Sequence, residues 1–86
     1  MYYVYVICNI QSKELYVGYT KDLKRRLEEH NSKQNRSTRR KSEWRLIYYE
    51  AFLSKSDATT RESKLKQHGR ARQELFKRLE ESISEC

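Results

Sequence analysis

Proline is absent from this 86-residue chain, and glycine occurs only twice. So little punctuation argues against long irregular segments and favours regular elements joined by short loops. No glycine-rich phosphate loop is present, which removes nucleotide binding of that kind. Cysteine also occurs only twice. Cys8 lies in an apolar run and Cys86 is the last residue. Neither has a partner at zinc-ligand spacing, so no zinc cluster and no disulfide framework is expected, and a reduced cytoplasmic setting fits best. No serine or cysteine has a convincing His/Asp partner for nucleophilic catalysis. Long hydrophobic runs are missing as well. The stretch 2–10 is too short to span a membrane, and it lacks the basic start and cleavage site of a signal peptide. Apolar residues make up 36% of the chain, which bounds the core to one modest domain over residues 1–86.

Negative charge is the other shortage. Nineteen lysines and arginines face 12 acidic residues, a formal net charge of +7. A surplus of this size concerns partners rather than fold: nucleic acid, an anionic surface or an acidic protein. Residues 21–45 hold ten basic and four acidic residues, and residues 61–78 hold seven and two. If these stretches line one side of a sheet, they form a groove able to track a phosphate backbone. Lys24, Arg25, Arg36, Arg39, Arg40, Lys41, Lys64 and Lys66 are the expected contacts.

The chain is read as α+β, in the order β-β-α-β-α-α. YYVYVIC (2–8) is aromatic and β-branched throughout, as a strand covered on both faces would be. LYVGY (15–19) is a second strand, and the short polar link makes an antiparallel hairpin. Gly18 inside it marks a bulge or the close approach of another group. Thr20 is the expected N-cap of a helix over about 22–32, with Leu23 and Leu27 inward and Arg26 and His30 on the border. Residues 33–43 have no apolar member and read as an exposed basic loop. WRLIYYEAF (44–52) is the third strand. Ser54 and Asp57 have capping-box spacing for a helix reaching about His68, with Gly69 as its C-cap. A last helix covers about 71–83 with the stripe Ala71, Leu75, Phe76, Leu79 and Ile83.

Glu62 stands out. It lies between Ala58 and Leu65 on one helix face, so a carboxylate interrupts an apolar stripe. An isolated buried carboxylate needs a cation, a metal or a proton. A salt bridge to Lys66 or Arg26, or a wet stripe edge, meets the same need. Arg26 is either a guanidinium aimed at a phosphate or a stem lying over Leu23. His30, one turn on, suits a general base, a phosphate contact or a surface position. Most of the seven tyrosines are packing residues. Tyr5 and Tyr16 are central in the hairpin, where a tyrosine beside an arginine or a metal-bound water can relay a proton.

Together these residues resemble the GIY-YIG nuclease family, in its small stand-alone bacterial form, related to the nuclease domain at the N-terminus of a DNA excision-repair enzyme. Val4-Tyr5-Val6 stands for the first motif and Tyr16-Val17-Gly18 for the second. YTKDLKRRLEEHN (19–31) resembles the next block, with Arg26 and His30 at its key positions. ATTRESKLK (58–66) resembles the helix bearing the metal-binding glutamate, which falls on Glu62. The family's glycine ahead of the first motif is absent, and 69–78 contain no asparagine. The resemblance implies a three-stranded antiparallel sheet flanked by helices. It also implies one Mg2+ or Mn2+ held by Glu62, and hydrolysis of DNA phosphodiesters, with RNA left open, in repair or recombination. Tyr5 is then the general base with Tyr16 close by and able to exchange roles with it, Arg26 stabilises charge on the phosphate, and His30 assists proton transfer or phosphate binding. Two other classes compete: a non-catalytic nucleic-acid-binding module on the same fold, and a basic protein-interaction domain. Oligomeric state has no signature in the sequence.

Overall fold

β-Branched and aromatic side chains pack well on a pleated surface and lose little rotamer freedom there. Such residues form the central strand, β1 (Tyr2–Asn9), buried from Val4 onward on both faces. The computed structural model describes residues 1–37 and 43–86, with side chains for 1–32 and 43–86. After β1 come β2 (Leu15–Thr20), α1 (Leu23–Ser37), β3 (Trp44–Phe52), α2 (Lys55–Lys66), α3 (Arg70–Arg78) and α4 (Glu80–Ser84). The sheet is antiparallel throughout, in spatial order β2-β1-β3. The expected α+β architecture and order hold, with one interruption in the last helix.

Strand periodicity divides the sheet into two faces. Val4, Val6 and Val17 pack against Ala58 and Leu65 of α2 and Leu75 of α3, with Leu79 beyond them. On the other face Tyr5, Ile7 and Leu46 meet Leu23, Arg26 and Leu27 of α1 in a seam too tight for water. A β-bulge interrupts the β1–β3 ladder: Val6 pairs with Tyr48 but Ile7 pairs with Leu46. The extra residue breaks the alternation. Ile47 and Tyr48 both join the α2 side, and Leu46 joins the α1 side.

Several expected boundaries move. Asp22, not Thr20, caps α1: its carboxylate accepts from Arg25 N at 3.1 Å and its carbonyl from Arg26 N at 3.0 Å. Thr20 instead accepts from Asp22 N at 3.1 Å, shaping the turn ahead of the helix. α1 runs on to Ser37 through residues read as loop. Lysine, glutamine and arginine are good helix formers, and a polar segment without glycine or proline has no reason to stop. Arg36 therefore lies on helical backbone; its side chain, and all of Arg39, Arg40 and Lys41, lie outside the described residues.

Ser54 caps α2, accepting from Asp57 N at 3.3 Å. The helix ends at Lys66, and Gly69 is not a left-handed C-cap but the N-cap of α3, with φ −130. The last helix breaks at Leu79, whose N–H is shared between the carbonyls of Leu75 and Phe76. That tight turn keeps both Leu79 and Ile83 on the core. It also brings Cys86 to Cys8, and the two form a disulfide across 78 residues. The expectation of unpaired cysteines is corrected: the partners are remote in sequence and meet only through the fold. Among the described residues no helix is long and apolar enough to cross a membrane.

Candidate active site

Tyr5 projects from the middle of β1 toward α1. Its cross-strand partner is Gly18. A β-carbon at Gly18 would stand 2.3 Å from both Cζ and the hydroxyl oxygen of Tyr5. The tyrosine ring thus lies where any other residue's side chain would begin, and close approach, not a bulge, explains this glycine.

The Tyr5 hydroxyl is the hub of the site. It accepts a hydrogen bond from Arg26 Nε at 3.3 Å and lies 3.0 Å from His30 Nε2. Arginine can only donate, so the hydroxyl's own proton is available to His30 when Nε2 is the unprotonated nitrogen. Burial pushes the Tyr5 phenol up from its ordinary pKa, with the Arg26 hydrogen bond and charge opposing it. Tyr5 is therefore a neutral phenol at physiological pH. Arg26 is held still more firmly protonated, first by its bond to Tyr5 and then by Glu29.

Helical spacing places Arg26 and His30 one above the other on α1, facing β1. Asn31 anchors that part of the helix. Its side-chain oxygen accepts from Trp44 N at 2.8 Å, and its amide donates to the Trp44 carbonyl at 3.3 Å. His30 lies among Tyr5, Tyr16 and Trp44, with ring centroids 6.0, 5.2 and 6.4 Å away. Glu29 accepts from Arg26 Nη1 at 3.0 Å and from Arg25 Nε at 3.3 Å. Its carboxyl is held below the usual range, chiefly by the Arg26 hydrogen bond. Arg26 and Glu29 also face an open recess of about 610 Å³, lined further by Lys21 and Arg25.

Tyr16 sits beside Tyr5, ring centroids 6.4 Å apart, and is the more exposed of the two. Lys66 Nζ from α2 stands 5.2 Å from the Tyr16 ring centroid and 3.2 Å from Glu62 Oε2. The five expected site residues thus form a chain of contacts: Arg26 and His30 on Tyr5, Tyr16 beside both rings, and Glu62 reached through Lys66. Of the alternatives left open for Glu62, the structure shows the salt bridge to Lys66, at a carboxylate still 23% exposed. Among the described residues no group of three His, Cys, Asp or Glu side chains converges. Magnesium commonly takes only one or two carboxylates, with waters and substrate phosphate completing its shell. Glu62 fits that pattern as a single carboxylate reachable from solvent. Lys24 and Lys64 are exposed, and Arg25 is bound to Glu29.

Three features were not anticipated. Glu29 could have been found from its helical spacing to both arginines. Asn31 and the group around Glu50 carry no such signal. Glu50 receives three hydrogen bonds from Arg61, at 2.8, 3.0 and 3.1 Å, and another from the Tyr48 hydroxyl. Burial pushes its carboxyl up, but these donors outweigh it and hold the carboxyl below the usual range. This group pins α2 to β3.

The sequence model of the GIY-YIG catalytic domain matches residues 1–76. The chain belongs to the GIY-YIG family, a family of nucleases that generally depend on divalent metal ions. Among its relatives, a UPF0213 protein of Halobacterium salinarum is 41% identical over 77 residues, 88% of this chain and 99% of that protein. A UPF0213 protein of Streptococcus pneumoniae is 40% identical over 75 residues, covering 86% and 75%. The solution NMR structure of a UPF0213 protein from Bacillus halodurans superposes with a TM-score of 0.54 at 34% identity. That superposition covers 92% of this chain and 85% of the other.

Proposed function

We propose that this chain is a metal-dependent endonuclease that hydrolyses DNA phosphodiester bonds in repair or recombination, acting as one domain over residues 1–86. The observation that carries the proposal is the Tyr5 hydroxyl, held between Arg26 Nε and His30 Nε2. Such a hydroxyl can take a proton from a water while passing its own to His30, so no free tyrosinate is required. That matters because burial keeps Tyr5 protonated. The water oxygen then bonds to phosphorus and the bond to the leaving oxygen breaks.

Arg26 has bonds from Nε and Nη1. Its Nη2 edge is left to meet a phosphate oxygen as negative charge grows there. Tyr16 lies on the open side, in place to hydrogen-bond the scissile group or, in exchange with Tyr5, to handle the proton. Glu62 is the ligand for one Mg2+ or Mn2+, which when bound supplies Lewis-acid polarisation of the phosphate. Lys24, Arg25, Arg36, Arg39, Arg40, Lys41, Lys64 and Lys66 supply charge for the backbone on either side.

The competing reading is a non-catalytic nucleic-acid-binding module. One observation favours it: Glu62 is already neutralised by Lys66 and is not left repelling a polyanion. A cleavage assay separates the two, using supercoiled DNA and a panel of branched, single-stranded and RNA substrates in Mg2+, Mn2+ or chelator. Metal-dependent nicking that disappears in Glu62→Gln supports the enzyme. Equal nicking by the glutamine variant refutes the site, and binding without cleavage of any substrate refutes the enzyme.

A further inference from the structure

Lys66 touches two members of the site at once and has no role in the mechanism above beyond its charge. Its ammonium is 3.2 Å from Glu62 Oε2, and the residues stand at i and i+4 with the glutamate nearer the N-terminus. That is the favoured orientation for such a pair on a helix. The same ammonium lies over the Tyr16 ring, 5.2 Å from the centroid. The ring face attracts a cation independently of the carboxylate. Glu62 is 23% exposed and Lys66 46% exposed, so the pair is partly shielded from solvent.

We propose that Lys66 is a built-in counter-ion of Glu62 that occupies the carboxylate until substrate phosphate draws it away, coupling metal binding to substrate binding. The proposal rests on Glu62 being the metal ligand. A carboxylate oxygen carrying an ammonium is poorly placed to bind magnesium at about 2.0–2.1 Å, and the two cations repel each other. Phosphate is the natural competitor for the lysine, which binds it as a point charge. Tyr16 supplies the second resting place. An ammonium that leaves Glu62 stays over the ring, inside the site, and is not lost to solvent. Glu62 is thereby kept neutralised in the free protein, and it becomes a free ligand where a phosphodiester is present. By linkage, phosphate and metal each raise the other's affinity.

The test is titration of the intact protein with Mn2+ alone, followed by calorimetry and by the electron paramagnetic resonance signal of free Mn2+. Lys66→Met keeps an unbranched stem across Tyr16 and removes the charge. Lys64→Met removes the same charge from the same helix without touching Glu62. Thermal unfolding of each variant verifies that it is folded. Lys66→Met is expected to bind Mn2+ roughly three- to tenfold more tightly than wild type, the range of a part-exposed ion pair aided by a cation–π contact. Lys64→Met is expected to change affinity less than twofold, on the order of a solvent-screened charge. Equal shifts in the two variants would reduce the effect to bulk charge and overturn the counter-ion role. No shift in Lys66→Met would overturn it too, while leaving Glu62 as ligand. If Glu62→Gln binds Mn2+ as wild type does, or no variant binds at all, the metal assignment itself fails and the counter-ion falls with it.

Discussion

Gly18→Ala adds one methyl group at the most crowded point of the site. The new β-carbon would lie 2.3 Å from Tyr5 Cζ and hydroxyl oxygen and 2.9 Å from Cε1. Carbon atoms in contact prefer about 3.5–4.0 Å, so a gap of more than an ångström must open. Tyr5 is only 2% exposed, and its hydroxyl is tied to Arg26 and His30. The ring cannot withdraw without stretching both bonds, and a strand backbone paired on both sides cannot withdraw for it. Overpacking of this kind costs about 1–3 kcal/mol. Leaving buried polar partners unsatisfied costs about 1–3 kcal/mol more. Alanine regains about 0.5–1 kcal/mol of backbone entropy over glycine. The net expectation is destabilisation by about 2–4 kcal/mol, which lowers the melting temperature of a domain this small by roughly 10 °C or more. Urea unfolding measures it. A double-mutant cycle with Tyr5→Ala gives the cause: with the ring gone, alanine at 18 is nearly free, so the coupling equals the loss itself, about 2–4 kcal/mol. A Gly18→Ala protein within about 0.5 kcal/mol of wild type, the scatter of a neutral surface change, would show that the ring does not lie across the glycine.

Arg26→Lys keeps the charge but cannot bond Tyr5 and Glu29 while presenting a third edge; DNA binding by fluorescence anisotropy should persist while kcat falls about 100-fold or more. Replacing Arg36, Arg39, Arg40 and Lys41 together by alanine should flatten the log–log salt dependence of DNA binding by as much as about 3–4 units if each meets a phosphate; an unchanged slope places the groove elsewhere. The Glu50 carboxyl is depressed in the folded state, so its contribution is full above the ordinary glutamate value and is lost as pH falls through the lower folded value. Acid unfolding should accordingly be shallower in Glu50→Gln than in wild type, and equal slopes would remove the Arg61 pairing from the pH dependence. Opening the Cys8–Cys86 bond frees a 78-residue separation, and loop entropy sets the loss at up to about 4.5 kcal/mol. Dithiothreitol should destabilise the wild type by such an amount and leave Cys86→Ser unaffected.

Sequence alone determined what depends on local periodicity and residue chemistry. The three strands follow from β-branched and aromatic runs, and the core stripes of α1, α2 and α3 from apolar spacing. Tyr5, Tyr16, Arg26, His30 and Glu62 were expected as a set only through the resemblance of their motifs to a family, and the structure links them in one chain of contacts. Gly18 was legible as an anomaly, since a glycine within a strand has to make room for something.

Tertiary structure decided whatever depends on which distant atoms meet. It supplied the ring that fills the space at Gly18, and the single hydroxyl shared by Arg26 and His30. It selected Lys66 from the possible partners of Glu62, because α2 packs where its last turn reaches Tyr16. The Glu50–Arg61 pair, the Asn31–Trp44 clamp and the Cys8–Cys86 bond join residues with no helical or strand spacing between them. The bulge between Val6 and Ile7 and the break at Leu79 are likewise invisible in composition. Both arise where the backbone yields so that side chains on both sides of the irregularity can reach their part of the core.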